Sequence, residues 1–494
     1  MGGANSVKKC KLICVLLVGI LLLMSLSGCK KGNQYEDLLD KDSPVSIIIW
    51  HYYNGVQQTQ FDEMVAEFNN TVGVEKGIIV EAISKNSINE LADSIRASAE
   101  KDPGAEDMPD IFATYAETAY IIDELGYVAD LKKYFTDEEL AEYVDEYIEE
   151  GSFDNGKTLK IFPTAKSTEI MMINQTDWQK FADATGASYE DMSTWEGLAA
   201  VAELYYNYTD GLTPDVKNDG KAFFGRDSIA NYMNIGAKQL GVAFSETDAD
   251  GAVKTGVDKE TMRRLWDNYY VPYVKGYYTA ENRYRSDDAK IGSIIALICS
   301  TSGAIYYPTE VTINDEYTYA IDNVVLPVPD FEGCDSYVVQ QGAGMSVVKS
   351  TEKEEYASAV FLKWFTETER NIQFSINSGY LPVKKTANDF EMVQSVSAET
   401  GLEIDDTMRR TIETAINEIN TCNLYTSPAF DKSAQLRDYI GNTMQDTAVA
   451  AYEEAWSRIA AGEDREKVLA SYTDDAAFDK WYTDFETGFL SVLE

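Results

Sequence analysis

The sequence predicts an α/β protein, because apolar strand-like and helix-like segments alternate along its first part. The run SIIIW (46–50) has the length of a buried strand. Phe61, Met64, Val65 and Phe68 follow at the i, i+3, i+4, i+7 spacing of one helical face. IIVEAIS, INELADSIRASA and MPDIFATY then continue as strand, helix and strand, which is typical of a largely parallel sheet with helices on both faces. With 494 residues, 45% of them hydrophobic, the chain can form two or three domains.

The amino-terminal segment, residues 1–28, has the composition of a secretory signal. Three lysines precede LICVLLVGILLLMSL, an apolar run shorter than the roughly 20 residues that span a bilayer. The following LSGC resembles the bacterial lipobox, so Cys29 is expected to carry a lipid anchor. Residues 29–44 show no apolar period and are expected to form a tether.

The net charge is strongly negative. It is −41 for the whole chain and −44 without residues 1–28, which hold three lysines and no acid. The negative electrostatic potential of such a chain repels nucleic acid and anionic lipid and disfavours both as partners. Solubility at an anionic cell surface accounts for this charge, and a cationic ligand remains the alternative.

The cysteines predict neither a disulfide framework nor a zinc site. Two of the six lie in the signal, Cys29 takes lipid, and only Cys299, Cys334 and Cys422 remain. They are widely spaced, odd in number and without a CxxC pair. At most one disulfide can form, and three thiols are the favoured interpretation.

The remainder of the chain changes character at Pro163. TLKIFPTAKSTEIMMIN (158–174) places two strand-like pieces around that proline, and an aromatic-rich helical region follows. Residues 317–328 return to strand, QQGAGMSVV precedes the helix EEYASAVFLKWFTETERN, and the part after SGYLPVKK is helical. No internal repeat is present.

The motifs of catalysis are missing from the sequence. His51 is the only histidine, so HExxH is impossible and a Ser/His or Cys/His pair would have to use it. Neither GxSxG nor GxxxxGK[ST] occurs. Two carboxylates are the catalytic groups of glycoside hydrolases, but among 83 acidic residues such pairs arise by chance and indicate nothing. The chain is therefore predicted not to be an enzyme and to hold no metal or cofactor.

Aromatic faces beside polar loops instead predict a binding site for a polar solute. Such a site needs flat apolar surfaces and a few fixed donors and acceptors. The candidates are Trp50, His51, Tyr52, Tyr53, Ser167, Thr168, Glu169, Arg226, Asp227, Asn231, Arg285, Ser300, Ser302, Gln341, Gly342 and Tyr380.

The order and spacing of several motifs resemble a known family. IIIWHYYNG…FDEMVAEFN, PDIFATY, KIFPTAKSTEIMMIN, GAGMSVVKS…EEYASAVFLKWFT and SGYLPV are similar to extracellular solute-binding lipoproteins of ABC importers, of the group that binds carbohydrates or glycerol-3-phosphate. The resemblance implies a two-lobed periplasmic-binding-protein type II (Venus-flytrap) fold with a ligand cleft between the lobes. The implied N-terminal lobe is 45–162 plus 328–374, and the C-terminal lobe is 163–327 plus 375–494.

This resemblance also implies a function without chemistry. The protein is expected to be a monomeric lipoprotein on the outer face of the cell membrane. It would capture an oligosaccharide or sugar-like polyol by hinge closure and deliver it to ABC permease subunits. A phosphorylated polyol such as glycerol-3-phosphate is the alternative, because Lys166, Arg226, Arg283 and Arg285 could form an anion clamp. A surface glycoside-active enzyme and a non-transporting adhesin are the remaining alternatives.

Overall fold

The computed structural model describes residues 34–248 and 252–494. The predicted signal and Cys29 lie outside this part of the chain. Within the described ranges, no helix combines the length and the apolarity needed to cross a membrane. Cys299, Cys334 and Cys422 are free thiols in the structure.

The helices and strands fall into three successive stretches of the chain. Residues 34–162 contain β1 (Val45–His51), α1 (Gly55–Asn70), α2 (Val72–Lys76), β2 (Ile78–Ser84), α3 (Ile88–Glu100), β3 (Ile111–Thr114), α4 (Ala116–Glu124), α5 (Asp137–Leu140), α6 (Asp145–Glu150), β4 (Ser152–Phe153) and β5 (Thr158–Leu159). Residues 163–327 contain β6 (Glu169–Asn174), α7 (Gln175–Thr185), α8 (Trp195–Gly211), β7 (Phe224–Arg226), α9 (Ile229–Gln239), β8 (Ser245–Thr247), β9 (Val253–Thr255), α10 (Lys259–Asn268), α11 (Tyr270–Val274), α12 (Arg285–Lys290), β10 (Ala296–Ser300), β11 (Glu310–Asn314), β12 (Tyr317–Ala320) and β13 (Asn323–Leu326). Residues 328–494 contain β14 (Tyr337–Val339), β15 (Gly344–Val347), α13 (Glu352–Phe365), α14 (Thr368–Ser378), α15 (Phe390–Thr400), α16 (Asp406–Thr421), β16 (Asn423–Tyr425), α17 (Ser433–Ala460), α18 (Arg465–Thr473) and α19 (Asp475–Leu493).

The first lobe is built on a four-stranded sheet of order β15-β3-β1-β2. β1 lies parallel to both β2 and β3, and β15 closes the edge antiparallel to β3. Polar residues start its helices: the Ser87 hydroxyl accepts the Glu90 N–H before α3, and Thr351 and Glu354 form a capping box at α13. The predicted alternation of strand and helix is confirmed in this lobe.

The second lobe is built on a sheet of order β13-β6-β10-β7. β10 and β7 are a parallel pair of neighbours, whereas β10 and β13 each pair antiparallel with β6. The expected parallel sheet therefore holds for the first lobe and not for this one. Every residue of β6 is buried: Met171 and Ile173 enter one core, while Ile170 and Met172 enter a second core on the other face.

Three segments connect the lobes at the floor of the cleft. Ser167 and Gln341 exchange two backbone hydrogen bonds of 2.9 and 2.8 Å, and Lys166 and Leu381 form a second such pair. Phe331 packs in the core of the second lobe, although it follows residue 327. The lobe boundaries at 162/163, 327/328 and 374/375 remain a prediction.

Candidate ligand-binding cleft

A cavity of about 340 Å³ lies between the two lobes. Its walls come from opposite sides and its floor from the connecting segments. The lining residues from the first lobe are Ile88, Asn89, Ala92, Tyr115, Ala116, Glu117, Thr118 and Glu150; those from the second lobe are Asn231, Asn234, Ile235, Tyr425, Thr426, Ser427, Ala434, Arg437 and Asp438; the floor is Val339, Gln340 and Gln341.

The first lobe presents Tyr115 and Glu117 to this cavity. They follow β3 directly and begin α4, so they lie at the carboxyl end of a parallel strand, where ligands of such sheets are bound. Tyr115 is 36% exposed, although most large aromatic side chains of this lobe are buried. Its ring is available for stacking against a flat apolar ligand face.

The second lobe presents amide and charged groups opposite these residues. Asn231 and Asn234 project from α9, which begins after Ser228, whose hydroxyl accepts the Asn231 N–H. Arg437 and Asp438 come from the first turns of α17. The cavity thus has an aromatic face and several donors and acceptors, which is the composition of a site for a polar, uncharged molecule.

Two further cavities adjoin this one. The larger, of about 800 Å³, shares Glu150, Gln340 and Tyr425 with it, and the other, of about 310 Å³, shares Arg437 and Asp438. The larger cavity has one lysine, Lys157, among its lining residues, and its carboxylates are Asp123, Glu124, Glu146, Glu149, Glu150, Asp154 and Glu246. The wall of this larger cavity is therefore negatively charged.

Three of the four residues of the WHYY stretch are buried. Trp50, His51 and Tyr53 are at most 2% exposed and belong to the first core, with the Lys85 ammonium 3.8 Å from the Trp50 ring. None of the three lines the 340 Å³ cavity, and their contact with solute stays a prediction. Trp50 and His51 end the central strand β1, and the Tyr53 ring that follows packs against Phe61 and Phe374.

Tyr52 is the half-buried member of this stretch. Its hydroxyl lies 2.9 Å from that of Tyr380, which is itself 5% exposed. The Ser300 and Ser302 hydroxyls, 3.0 Å apart, lie at the end of β10 in the second lobe. Burial raises the pKa of both tyrosines, so these hydroxyls stay protonated donors.

The predicted polar patch at 166–168 lies in a segment that pairs through its backbone with two other segments, around Gln341 and Leu381. Ser167 pairs with Gln341 through the backbone, and the Thr168 carbonyl accepts the Thr301 N–H at 2.9 Å. Lys166 pairs with Glu150 and also donates to the Gly342 carbonyl at 2.8 Å. Among these residues, Gln341 and Glu150 line the cavity.

The arginines of the predicted site are held by carboxylates. Arg226 pairs with Glu169, and both are 3% exposed. Arg285 pairs with Asp288 at 2.6 Å and lies 3.8 Å from Asp227. Burial raises the pKa of Asp227 to about 6, although hydrogen bonding and charge from Arg285 oppose this. Arg226, Asp227 and Arg285 line the adjoining cavity of 310 Å³ and not the central one.

Several residues of the central cavity were not predicted. The rule that ligands bind at carboxyl ends of strands would have identified Tyr115 and Glu117, which directly follow the predicted strand MPDIFATY or end it. Arg437 has no local signal, because it lies in a long helix that only the tertiary fold brings to the cleft. In the described part of the chain, no group of His, Cys, Asp and Glu is placed to hold a metal ion.

The burial of His51 predicts a pH-dependent stability. Both imidazole nitrogens are buried without a hydrogen-bond partner, and burial lowers its pKa from 6.5 to about 4. Between these values the unfolded chain binds a proton that the folded chain does not, so stability falls as the pH falls. We expect the free energy of unfolding of the wild type, relative to that of His51→Phe, to drop by about 2 kcal/mol between about pH 6 and about pH 4.5. Urea unfolding of both proteins across this range measures the difference, and parallel curves would contradict it.

Comparison with known proteins identifies the family of this chain. Residues 63–400, more than half of the chain, match the family of bacterial extracellular solute-binding proteins. No curated protein sequence gives a significant match.

Similar solved structures share the two-lobed fold. The cyclic α-maltosyl-1,6-maltose binding protein of Arthrobacter globiformis has a TM-score of 0.61 at 18% identity, over 87% of this chain and 100% of that one. UgpB of Mycobacterium tuberculosis, in complex with glycerophosphocholine, has a TM-score of 0.63 at 16% identity, over 91% and 99%. Lmo0181 of Listeria monocytogenes, in complex with cycloalternan, has a TM-score of 0.62 at 15% identity, over 90% and 100%. The predicted fold class is confirmed, and the chain belongs to the family of bacterial extracellular solute-binding proteins.

Proposed function

We propose that this protein captures an extracellular carbohydrate, an oligosaccharide or a sugar-like polyol, for the permease of an ABC importer. The observation that carries the proposal is the cavity between the lobes, in which the exposed Tyr115 ring lies among amide and charged groups. Sugars present flat C–H faces and many hydroxyls, and these two kinds of surface are what such a cavity binds. The protein performs no chemistry on its solute.

Capture works through closure of the lobes. Tyr115 and Glu117 belong to one lobe, whereas Asn234 and Arg437 belong to the other. A solute that contacts both sides favours the closed form by its difference in affinity for the two forms. The paired backbones of Ser167 and Gln341 provide the floor about which the lobes move.

The solutes of similar structures support a carbohydrate. The proteins from Arthrobacter globiformis and Listeria monocytogenes are described with a cyclic maltosyl-maltose and with cycloalternan. UgpB, described with glycerophosphocholine, represents the phosphorylated alternative.

Ion pairing argues against a phosphorylated polyol. Three of the four cations expected in an anion clamp, Lys166, Arg226 and Arg285, already pair with carboxylates. A phosphate would have to displace those carboxylates from buried positions, at a substantial cost in solvation. A neutral solute requires no such exchange.

The location of the protein rests on its amino-terminal sequence. We infer that residues 1–28 are removed and that Cys29 carries lipid, so that residues 29–44 tether a monomeric receptor to the outer face of the membrane. Mass spectrometry of the mature amino terminus tests this part, and an unmodified Cys29 or a retained signal would overturn it.

Binding of sugars by purified residues 30–494 tests the function. In a thermal-shift series we expect neutral oligosaccharides such as maltotriose and cycloalternan to raise the melting temperature, and glycerol-3-phosphate to have no effect. Tyr115→Ala removes the stacking face and should weaken sugar binding about 10-fold or more, with little loss of stability because the ring is exposed. Tyr306→Ala is the matched control, since that ring is 58% exposed and lies outside the central cavity. Binding of glycerol-3-phosphate alone, or turnover of a glycan, would overturn the proposal.

A further inference from the structure

A chain of four polar side chains runs from the core of the second lobe to the cleft. The buried Arg226 and Glu169 form an ion pair, and Asn231, 1% exposed, donates to the Glu169 carboxylate at 3.0 Å. Arg437 in turn donates to the Asn231 side-chain oxygen at 2.6 Å. Apolar residues of similar volume would cost less solvation free energy here. The network therefore calls for a role beyond stability.

The position of each member is fixed by the fold. Glu169 is the first residue of β6 and Arg226 the last of β7, so both lie at the cleft end of the second sheet. The Arg226 guanidinium is 5.3 Å from the Trp195 ring and 5.7 Å from the Tyr232 ring, which limits its orientations. Asn231 has both of its polar atoms occupied, one by Glu169 and one by Arg437.

Arg437 is the end of this chain that reaches the solute cavity. It is partly exposed, and it borders both the 340 Å³ and the 310 Å³ cavities. Within residues 34–248 and 252–494, no ion pair with Arg437 is found. The Glu117 carboxyl of the opposite lobe lines the same 340 Å³ cavity; burial raises its pKa, and the positive charge of Arg437 acts against that rise.

We propose that Arg437 binds the solute directly and that Asn231, held by Glu169 and Arg226, is the residue that positions it. This inference rests on the proposed carbohydrate function. One edge of the planar guanidinium is occupied by Asn231, so its remaining N–H groups point in a set direction toward the cavity. Arg437 then determines which arrangement of solute hydroxyls fits, because N–H donors held in a fixed orientation bind acceptors only at matching positions.

The expected partner of Arg437 is a pair of neighbouring sugar hydroxyls. Glu117 and Asp438 border the same cavity, so their negative charges offset that of Arg437. An anionic solute gains little electrostatic binding energy beside these carboxylates. A hydroxyl can accept a hydrogen bond from Arg437 and donate one to Glu117 at the same time. Closure of the lobes brings these two groups to the same solute.

The test is a double-mutant cycle in binding. The neutral trisaccharides maltotriose, cellotriose, xylotriose and mannotriose serve as probes by titration calorimetry at room temperature, together with glycerol-3-phosphate. We expect Arg437→Gln and Asn231→Ala each to weaken binding of the best trisaccharide about 10- to 100-fold, and the double variant to be no weaker than Arg437→Gln alone. Arg437→Lys should recover only part of the affinity, because an ammonium group cannot bind Asn231 and also present two parallel N–H donors to the solute. Arg96→Gln is the matched control and should bind as the wild type does, because the Arg96 side chain is 43% exposed and lines none of the three cavities.

The outcomes separate a positioning role from a structural one. A structural role for Asn231 would lower the melting temperature of the free protein without changing trisaccharide affinity, and this result would overturn the inference. Wild-type affinity in Arg437→Gln would overturn it too, while leaving the proposed function intact. If no trisaccharide binds to the wild type, or if only glycerol-3-phosphate binds, the proposed function falls, and this assignment falls with it.

Discussion

Replacing Lys166 with methionine is expected to lower the free energy of unfolding by about 3 to 5 kcal/mol. The Lys166 side chain is 2% exposed and that of Glu150 is 10% exposed, so their ion pair lies almost entirely out of water. Methionine keeps most of the apolar stem and removes the charge. Glu150 then remains as a desolvated carboxylate with only Gln340 as a donor, and the Gly342 carbonyl loses its hydrogen bond.

Urea unfolding measures this loss, and two companion variants test its cause. If the unpaired charge is responsible, Lys166→Met combined with Glu150→Gln should recover stability to within about 1 kcal/mol of the wild type. Lys180→Met is the matched control, because its pair with Asp177 leaves the lysine 63% exposed, and it should cost less than about 1 kcal/mol. An equal loss in the single and double variants would show that packing, and not charge, makes Lys166 important.

Replacing Gly342 with alanine is expected to destabilise the protein by about 2 to 4 kcal/mol. Gly342 has φ +88°, a conformation that costs an L-residue energy, and it lies in the segment that pairs with Ser167. A Cβ at this position would lie 2.6 Å from the Ala165 carbonyl oxygen and 2.8 Å from the Lys166 Cα. Both contacts are with backbone, so no side-chain rotation can relieve them.

Gly104→Ala separates backbone conformation from steric contact. Gly104 has φ +90°, and a Cβ there would have no atom within 4 Å. It should lose only about 1 to 2 kcal/mol, the cost of the left-handed conformation. Urea unfolding of both variants gives the difference, and equal losses would contradict a close approach of the connecting segments at Gly342.

The burial of the WHYY stretch shows where sequence patterns stop being informative. The apolar run SIIIW correctly predicted a strand, but it did not predict that Trp50, His51 and Tyr53 would all be buried. Their burial depends on contacts with residues distant in the sequence, such as that of the Tyr53 ring with Phe374, which the periodicity of a short segment does not report. Tyr52 is the half-buried residue among the four, and its contact with solute stays a prediction.

The binding cavity could be predicted from the sequence in part. Tyr115 and Glu117 follow a recognisable strand, so their place at its carboxyl end is a local property. The partners opposite them are not local: Arg437 reaches Asn231 across 206 positions of sequence. The residue pattern of the long helix α17 does not indicate which of its residues will line a cavity.

By itself, the sequence determined the α/β class, the predicted export signal and lipid anchor, and the resemblance to solute-binding proteins. These follow from side-chain periodicity and motif order, which are properties of short segments. The tertiary structure alone decided that Arg226 and Arg285 are neutralised in ion pairs, that Lys166 pairs with Glu150 and donates to Gly342, and that Tyr115 and Arg437 line one cavity. These depend on contacts between distant parts of the chain, whose geometry is set by the packing of both lobes.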